Sequence, residues 1–284
     1  MECITCKSKD VFIKQYDNHV FNLKQILKST LKNSTGYPFK GQIVVCRDCG
    51  HGYLVKHPTA EVLKKYYEAP YWKNRHITEN KILKDDFKKD LRAKYQLNFI
   101  LKNVTFADSI NTLEIGGGPT FGLLYLRNLL ADKTIKINVC EPGKEWEDHY
   151  NYHNIQKISD FFPFSTNLTF DYIHTSHWLE HVADLDDTLI NLKKVLSKDG
   201  YLFVEVPNCT TDYWKLPFTD IPHIQFFTTE SLKIKFESMG FKLINMEEAG
   251  ITTKEWASGI WPEEKDYSTK KDGFWIRAIF QKAN

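Results

Sequence analysis

Net charge is nearly absent from this sequence: Lys and Arg total 38 against 36 Asp and Glu, a formal net charge of +2. Such a balance exerts no long-range pull on a polyanion or an anionic lipid surface, so neither nucleic acid nor membrane is expected as a partner. Long apolar runs are missing too. No stretch reaches the roughly 18 apolar residues that a membrane-crossing helix needs. Met1 to Asp10 lacks the apolar core of a secretory leader, which sets the expectation of a cytoplasmic, reducing location. Glycine is scarce, with 14 in 284 residues, about 5% against a usual 7%. What is not scarce is apolar and aromatic material, at 42% and 14%, and that excludes a disordered chain. A chain of this length buries roughly 75% of its unfolded surface and needs no disulfide staples.

Against that background two local concentrations stand out. Four of the six cysteines fall in the first 49 residues, as Cys3-x-x-Cys6 and Cys46-x-x-Cys49. Each pair offers two thiolates to one tetrahedral ion, and two pairs complete a four-cysteine zinc site. Gly50, just after the second pair, suits a tight turn that aims backbone amides at sulfur. The 7–45 segment between the pairs is longer than the common spacing of about 15–20 residues, so a zinc ribbon with an insertion is expected. Disulfides and buried free thiols are the competing readings; a reducing location disfavours the first. Closed four-thiolate sites are structural, since no ligand position is left open. Cys140 and Cys209 are isolated and read as small core hydrophobes.

Downstream, Pro58-Thr59 opens a short helix over 60–68. The repeat of Phe87, Leu91, Tyr95 and Phe99 predicts a helix over 81–102 with a solvated charged face. Residues 1–55 are therefore read as the ribbon module, 56–104 as a helical connector and 105–284 as the main domain. In the main domain strands are expected at 111–115, 135–140, 154–158, 170–175 and 201–206. Helices are expected near 120–131, 144–151, 187–197 and 229–239. This alternation argues a Rossmann-like α/β fold with a parallel sheet covered on both faces. Two last strands, 241–247 and 274–281, follow one another across a polar, aromatic loop from Gly250 to Asp272, which implies one antiparallel strand.

The second concentration is Gly116-Gly117-Gly118, at the turn from the first of these strands into a helix. Glycines there let a ligand approach the backbone, and the helix N-terminus that follows presents free amides. Glu141 ends the second strand roughly 20 residues on, where an acid can accept from both ribose hydroxyls. No Gly-Lys-Ser/Thr follows, which excludes a P-loop, and the dinucleotide fingerprint fails at its third glycine. Glu114, opening the loop, would repel a pyrophosphate and suits a ligand that carries a cation, such as an ammonium or a sulfonium.

These residues carry a resemblance. Glu114-Ile-Gly-Gly-Gly resembles the first motif of class I S-adenosylmethionine-dependent methyltransferases, and Cys140-Glu141-Pro142-Gly143 their ribose-binding acid. Phe170-Asp171-Tyr172-Ile173 with Leu179-Glu180-His181-Val182 is similar to their fourth-strand motif, and Leu192 to Asn208 to their next helix and fifth strand. The two cysteine pairs followed by Tyr66-Tyr67 and Tyr71 resemble the subgroup with an N-terminal zinc ribbon, which includes C-methyltransferases of nucleotide-linked keto-sugars. The chain departs from that subgroup in three ways. Trp178 stands where their active-site tyrosine would be, Thr120 replaces the third glycine, and their C-terminal domain is not expected here.

The resemblance implies a seven-stranded sheet with its last strand antiparallel. It also implies S-adenosylmethionine as cofactor and a small acceptor, of sugar or nucleotide-linked sugar type, as partner. Gly116 and Gly118 would pass the methionine part and Glu114 its ammonium. Glu141 would take the ribose, Asp160 and Phe161 the adenine, and His177 and Trp178 the sulfonium. His181 is the candidate general base, Glu180 its orienter, and His223 a further candidate for acceptor or proton. Tyr67, Tyr71, Trp72, Trp256 and Trp261 are candidates for the acceptor wall or for packing. Cys3, Cys6, Cys46 and Cys49 would hold structural zinc. The competing reading is a ribbon that recruits nucleic acid or protein to a weakly active, cofactor-binding domain; Glu2, Asp10, Asp17 and Asp48 dilute the basic face it would need.

Overall fold

The computed structural model describes residues 1–15, 42–57, 59–68, 82–215, 223–257 and 266–283. The expectations placed on Tyr71, Trp72 and Trp261, on the Tyr66 side chain, and on most of the 7–45 insertion lie outside the described residues. Near the N-terminus Val11–Gln15 (β1), Gln42–Cys46 (β2) and Gly52–Leu54 (β3) pair antiparallel. The β-branched run Ile43-Val44-Val45 is fully buried in this small sheet, the environment that favours such residues in strands. Ala60–Glu68 (α1) follows at the place expected.

The helix expected over 81–102 is broken. A 3₁₀ turn at Asp86–Lys89 precedes Leu91–Asn103 (α2), and the Asp90 side chain caps α2 by accepting from the Ala93 amide at 2.7 Å. Asp is among the preferred N-cap residues, and the break resets the helix phase. The buried face of α2 is Ala93, Gln96, Leu97, Phe99 and Ile100, while Leu91 is exposed. A repeat of four residues drifts around a helix of 3.6 residues per turn, so the Phe87–Phe99 stripe is not one face.

The main sheet has seven strands. They are Ser109–Ile115 (β4), Thr134–Cys140 (β5), Gln156–Ser159 (β6), Phe170–Ser176 (β7), Leu196–Pro207 (β8), Phe241–Thr252 (β10) and Gly273–Lys282 (β11). Their order across the sheet is β10-β11-β8-β7-β4-β5-β6. Neighbours from β8 to β6 are parallel, and β11 is antiparallel to both β8 and β10. This is the expected seven-stranded sheet with its last strand reversed. The central strands are apolar on both faces, with Leu113, Ile115, Val139, Ile173, Leu202 and Phe203 all buried, as a doubly covered parallel sheet requires.

Phe121–Leu129 (α3), Glu147–Tyr152 (α4), Leu185–Val195 (α5) and Thr229–Ser238 (α6) cover these strands. The strand expected at 241–247 runs on to Thr252, and Thr253–Ala257 (α7) lies inside what was expected to be a loop.

A two-residue strand, Gln225–Phe226 (β9), pairs with β3 through Gly52↔Phe226 and Tyr53↔Gln225. The ribbon sheet thus takes its fourth strand from the segment between β8 and α6. Glu205 of β8 is fully buried between Arg92 of α2 and Arg277 of β11, at 2.6 Å from each. Burial pushes its carboxyl up, but the two guanidiniums outweigh it and hold the group at about 2.

Candidate active site

Strand order reverses between β5 and β7, on either side of β4, and ligands of open α/β sheets bind outside the carboxyl ends of strands at such a switch point. A cavity of about 550 Å³ opens there, within the size range of small-ligand sites. Gly116, Glu141, Asp160, Phe161, His177 and Trp178 all line it, as does His181. These residues end four different strands, so the fold brings together side chains spread over more than sixty positions.

The glycine turn is shaped by close packing. Gly116 sits at φ +71°, and a Cβ there would lie 2.9 Å from Trp178 Cδ1. Gly118 also has positive φ, and its amide donates to Glu141 Oε2 at 3.0 Å. The other carboxylate oxygen of Glu141 accepts from Gly143 at 2.9 Å. The acid therefore locks its own turn to the glycine loop. Thr120 stands in the left-handed region, φ 60°, at the start of α3, so a threonine holds the conformation that a third glycine would have provided.

Two expected cofactor residues lie off the cavity wall. Gly118 is turned toward Tyr150, whose hydroxyl donates to its carbonyl at 2.5 Å. Glu114 is buried beneath Gly117, close enough that a Cβ on that glycine would meet its carboxyl. Burial pushes the Glu114 carboxyl up to about 8; the Leu123 backbone amide opposes the rise and Glu141 adds to it. The resemblance implies that this acid holds the ammonium directly or through water; the structure puts it buried under the loop. The cause is local: successive strand residues face opposite sides, and Glu114 faces α3.

The histidine group is gathered by backbone bonds. His177 adopts φ 53°, and its amide donates to Glu205 O at 2.9 Å. The 3₁₀ turn Leu179–His181 follows, and the Ile224 amide donates to Glu180 O at 2.7 Å, drawing His223 alongside. His177 Nδ1 shares a 2.9 Å hydrogen bond with Glu180 Oε1. His181 Nε2 and His223 Nε2 each stand 3.9 Å from the same oxygen. Burial pushes His223 below the ordinary histidine value, with the charge of Glu180 opposing.

The connector supplies a wall that sequence reading caught only in part. Tyr67 of α1 lines the cavity and meets the His181 ring edge-on at 5.9 Å. Leu63 and Lys64 line it as well, with the Lys64 ammonium 5.4 Å from the Phe161 ring centre. Nothing in the spacing of α1 separates such residues from a solvated face. Trp256 stacks on Phe274 at 4.7 Å in a separate core, so it packs rather than lining the cavity.

The four N-terminal cysteines converge, with their sulfurs all within 4.8 Å of one another. Cys3 and Cys49 are 3.6 Å apart, and Cys6 and Cys46 3.5 Å. For zinc–sulfur bonds of about 2.3 Å the edges of a tetrahedron are about 3.8 Å, so the residues fit the ion. None of the six cysteines is in a disulfide. No helix among the described residues is long and apolar enough to cross a membrane.

Comparison with known proteins reaches the same place. A family model described as a methyltransferase domain matches residues 87–245. No curated protein matches the chain. Among solved structures it is similar to a Thermotoga maritima S-adenosylmethionine-dependent methyltransferase described as a possible histamine N-methyltransferase. That pair has TM-score 0.52 and 17% identity, covering 76% of this chain and 99% of that one. A Burkholderia thailandensis 1,6-didemethyltoxoflavin N1-methyltransferase gives TM-score 0.52 and 13% identity over 88% and 98%. A structure described as a complex between the Haloferax volcanii Trm112 methyltransferase activator and a possible methyltransferase gives 0.51 and 13% over 70% and 94%. At such identities the structures speak for the fold alone. The family match spans more than half of the sequence, and on it the chain belongs to the methyltransferase-domain family, as an S-adenosylmethionine-dependent methyltransferase of class I.

Proposed function

We propose that the chain methylates a small, hydroxyl-rich acceptor of sugar or nucleotide-linked sugar type inside the cavity at the ends of β4, β5 and β7. The observation that carries this reading is one cavity lined both by Gly116, Glu141, Asp160 and Phe161 and by Tyr67 and His181; we assign the first set to the cofactor and the second to the acceptor. The cofactor supplies an activated methyl on a sulfonium, so the work left to the chain is positioning, water exclusion and proton removal.

Glu141 takes the ribose hydroxyls from a carboxylate already tied to the Gly118 and Gly143 amides. Asp160 and Phe161 flank adenine, and Gly116 leaves room for the methionine part. Trp178 and His177 set aromatic faces near the sulfonium. Glu114 serves the loop from below rather than touching the ammonium. With the cofactor bound, the acceptor oxygen would take the methyl carbon and the sulfonium would leave as a neutral thioether, keeping the electron pair of the carbon–sulfur bond. His181, at the wall, takes the acceptor proton, oriented by Glu180 with His223 behind. The acids Glu61, Asp184 and Asp187 along the cavity suit a partner with several hydroxyls. Structural zinc at the four cysteines holds the ribbon.

The test is calorimetry with S-adenosylhomocysteine, followed by labelled-methyl transfer to a panel of nucleotide sugars and free sugars. Binding together with incorporation into a sugar supports the reading. No binding at about millimolar ligand, where the binding free energy falls to about 4 kcal/mol, would end it.

A further inference from the structure

We propose that Glu180, His181 and His223 form a second metal site, which binds one divalent first-row cation at the acceptor wall of the cavity. The first argument is a spacing. Two imidazole nitrogens face one carboxylate oxygen at 3.9 Å each, and the three ligand atoms all lie within 4.8 Å of one another. That separation is too long for a hydrogen bond. An ion with bonds of about 2.1 Å places its ligands about 3.0–4.2 Å apart. The gap therefore has the size of an ion rather than of a direct contact.

The second argument is what the cluster leaves unmet. Glu180 has a side chain only 1% exposed, and its Oε2 has no hydrogen-bond partner. Burying a carboxylate is costly; the His177 bond to Oε1 compensates it in part, and a cation beside that oxygen would add to it. His177 supplies a held ligand: its Nδ1 fixes Glu180 Oε1 at 2.9 Å, the outer-shell arrangement that orients metal-binding carboxylates. His177 is thus a positioning residue.

The third argument is where the ligands lie. Glu180 and His223 lie behind, with side chains 1% and 11% exposed, while His181, 15% exposed, reaches the cavity wall. Two histidines and one carboxylate leave at least one position open, and His181 is the ligand that lines the cavity. Imidazole with carboxylate suits manganese, iron, cobalt or zinc. The soft four-thiolate site of the ribbon is a separate place that manganese does not favour.

This inference rests on the cavity being the site of transfer, and it refines the proton step. With the ion bound, His181 holds it as a ligand in place of taking the acceptor proton itself. Coordination lowers the pKa of the acceptor hydroxyl and the proton leaves to solvent. The oxygen–methyl bond forms and the carbon–sulfur bond breaks as before.

The experiment is a Mn²⁺ titration of the zinc-loaded full chain, followed by the loss of the free-ion paramagnetic resonance signal. S-adenosylhomocysteine calorimetry runs on the same samples. The expected result is one Mn²⁺ per chain in the parent. Glu180→Gln and His223→Gln should each raise the Mn²⁺ dissociation constant at least tenfold while cofactor-product binding and thermal unfolding stay near the parent's. His177→Gln should weaken Mn²⁺ binding less than either. A parent that binds S-adenosylhomocysteine but not Mn²⁺, or variants that bind Mn²⁺ as the parent does, would overturn the site. If one variant unfolds, the other decides. Loss of S-adenosylhomocysteine binding in the parent counts against the cofactor reading alone, because the Mn²⁺ titration judges the metal site by itself.

Discussion

Thr228 Oγ1 donates a 2.7 Å hydrogen bond to the carbonyl oxygen of Cys49. The same hydroxyl accepts from the Ser231 amide at 3.1 Å and closes the capping box of α6. One side chain therefore starts a helix of the main domain and holds the second cysteine knuckle. Gly50 fits beneath it: a Cβ there would lie 2.6 Å from the Thr228 methyl. Together with the β3–β9 pairing, this makes the ribbon a continuation of the main domain's packing.

Thr228→Val should accordingly cost more than an isolated surface cap. Losing an N-cap hydroxyl costs about 0.5–2 kcal/mol, and the Cys49 carbonyl loses its donor as well. We expect thermal unfolding to shift down by several degrees, with the transition remaining single. Thr228→Ser should recover most of the loss. A valine variant with an unchanged transition would show that the knuckle and the helix are independent.

Zinc content gives a direct reading of the ribbon. The purified chain should carry at least about one zinc, and Cys49→Ser should carry about one equivalent less, because three thiolates leave the tetrahedron open. Chelation should lower the unfolding temperature of the parent and leave that of the serine variant nearly unmoved. Parent protein with less than half an equivalent of zinc would remove the ion from the account.

How much of this was legible in the sequence depends on the range of the signal. The cysteine pairs, the glycine turn and the acid at the tip of β5 are local patterns, and their residues do converge in space. The break at Asp90 was hidden because one capping residue overrides a periodic stripe. Strand β9 was hidden because Gln225–Phe226 is too short for any pattern, and its partner β3 lies far back in the chain. Lys64 and Leu63 reach the cavity only through the placing of α1. The off-wall position of Glu114 follows from strand alternation, which the motif reading passed over.

Glu114 offers a pH test. Its carboxyl titrates at about 8 in the folded chain against a reference of 4.5. Between those values the unfolded chain has released the proton while the folded chain keeps it. This contribution to stability is therefore present in full below pH 4.5 and is lost as pH rises through 8. The slope is at most about 1.4 kcal/mol per pH unit. Glu114→Gln keeps the shape and removes the linkage. Its urea midpoint should gain steadily on the parent's from about pH 5 to about pH 8. Parallel curves would mean that the acid is charged when folded.

Glu141 and His181 should separate binding from chemistry. Hydrogen bonds to a charged group contribute about 1.5–3 kcal/mol each. Removing a carboxylate that serves two ribose hydroxyls should thus weaken S-adenosylhomocysteine on the order of 10²-fold or more. Glu141→Ala also frees the amides of Gly118 and Gly143, so the loop loses its tie and the loss should be largely one of affinity. His181→Ala touches the residues assigned to the acceptor. It should leave S-adenosylhomocysteine affinity within about twofold and slow turnover by roughly 10²–10⁴-fold, the usual contribution of a group that serves removal of the acceptor proton, directly or through an ion it holds. Calorimetry and single-turnover methyl transfer on the two variants read the two effects apart. If His181→Ala lost affinity as Glu141→Ala does, the division of the cavity into cofactor and acceptor sides would fall.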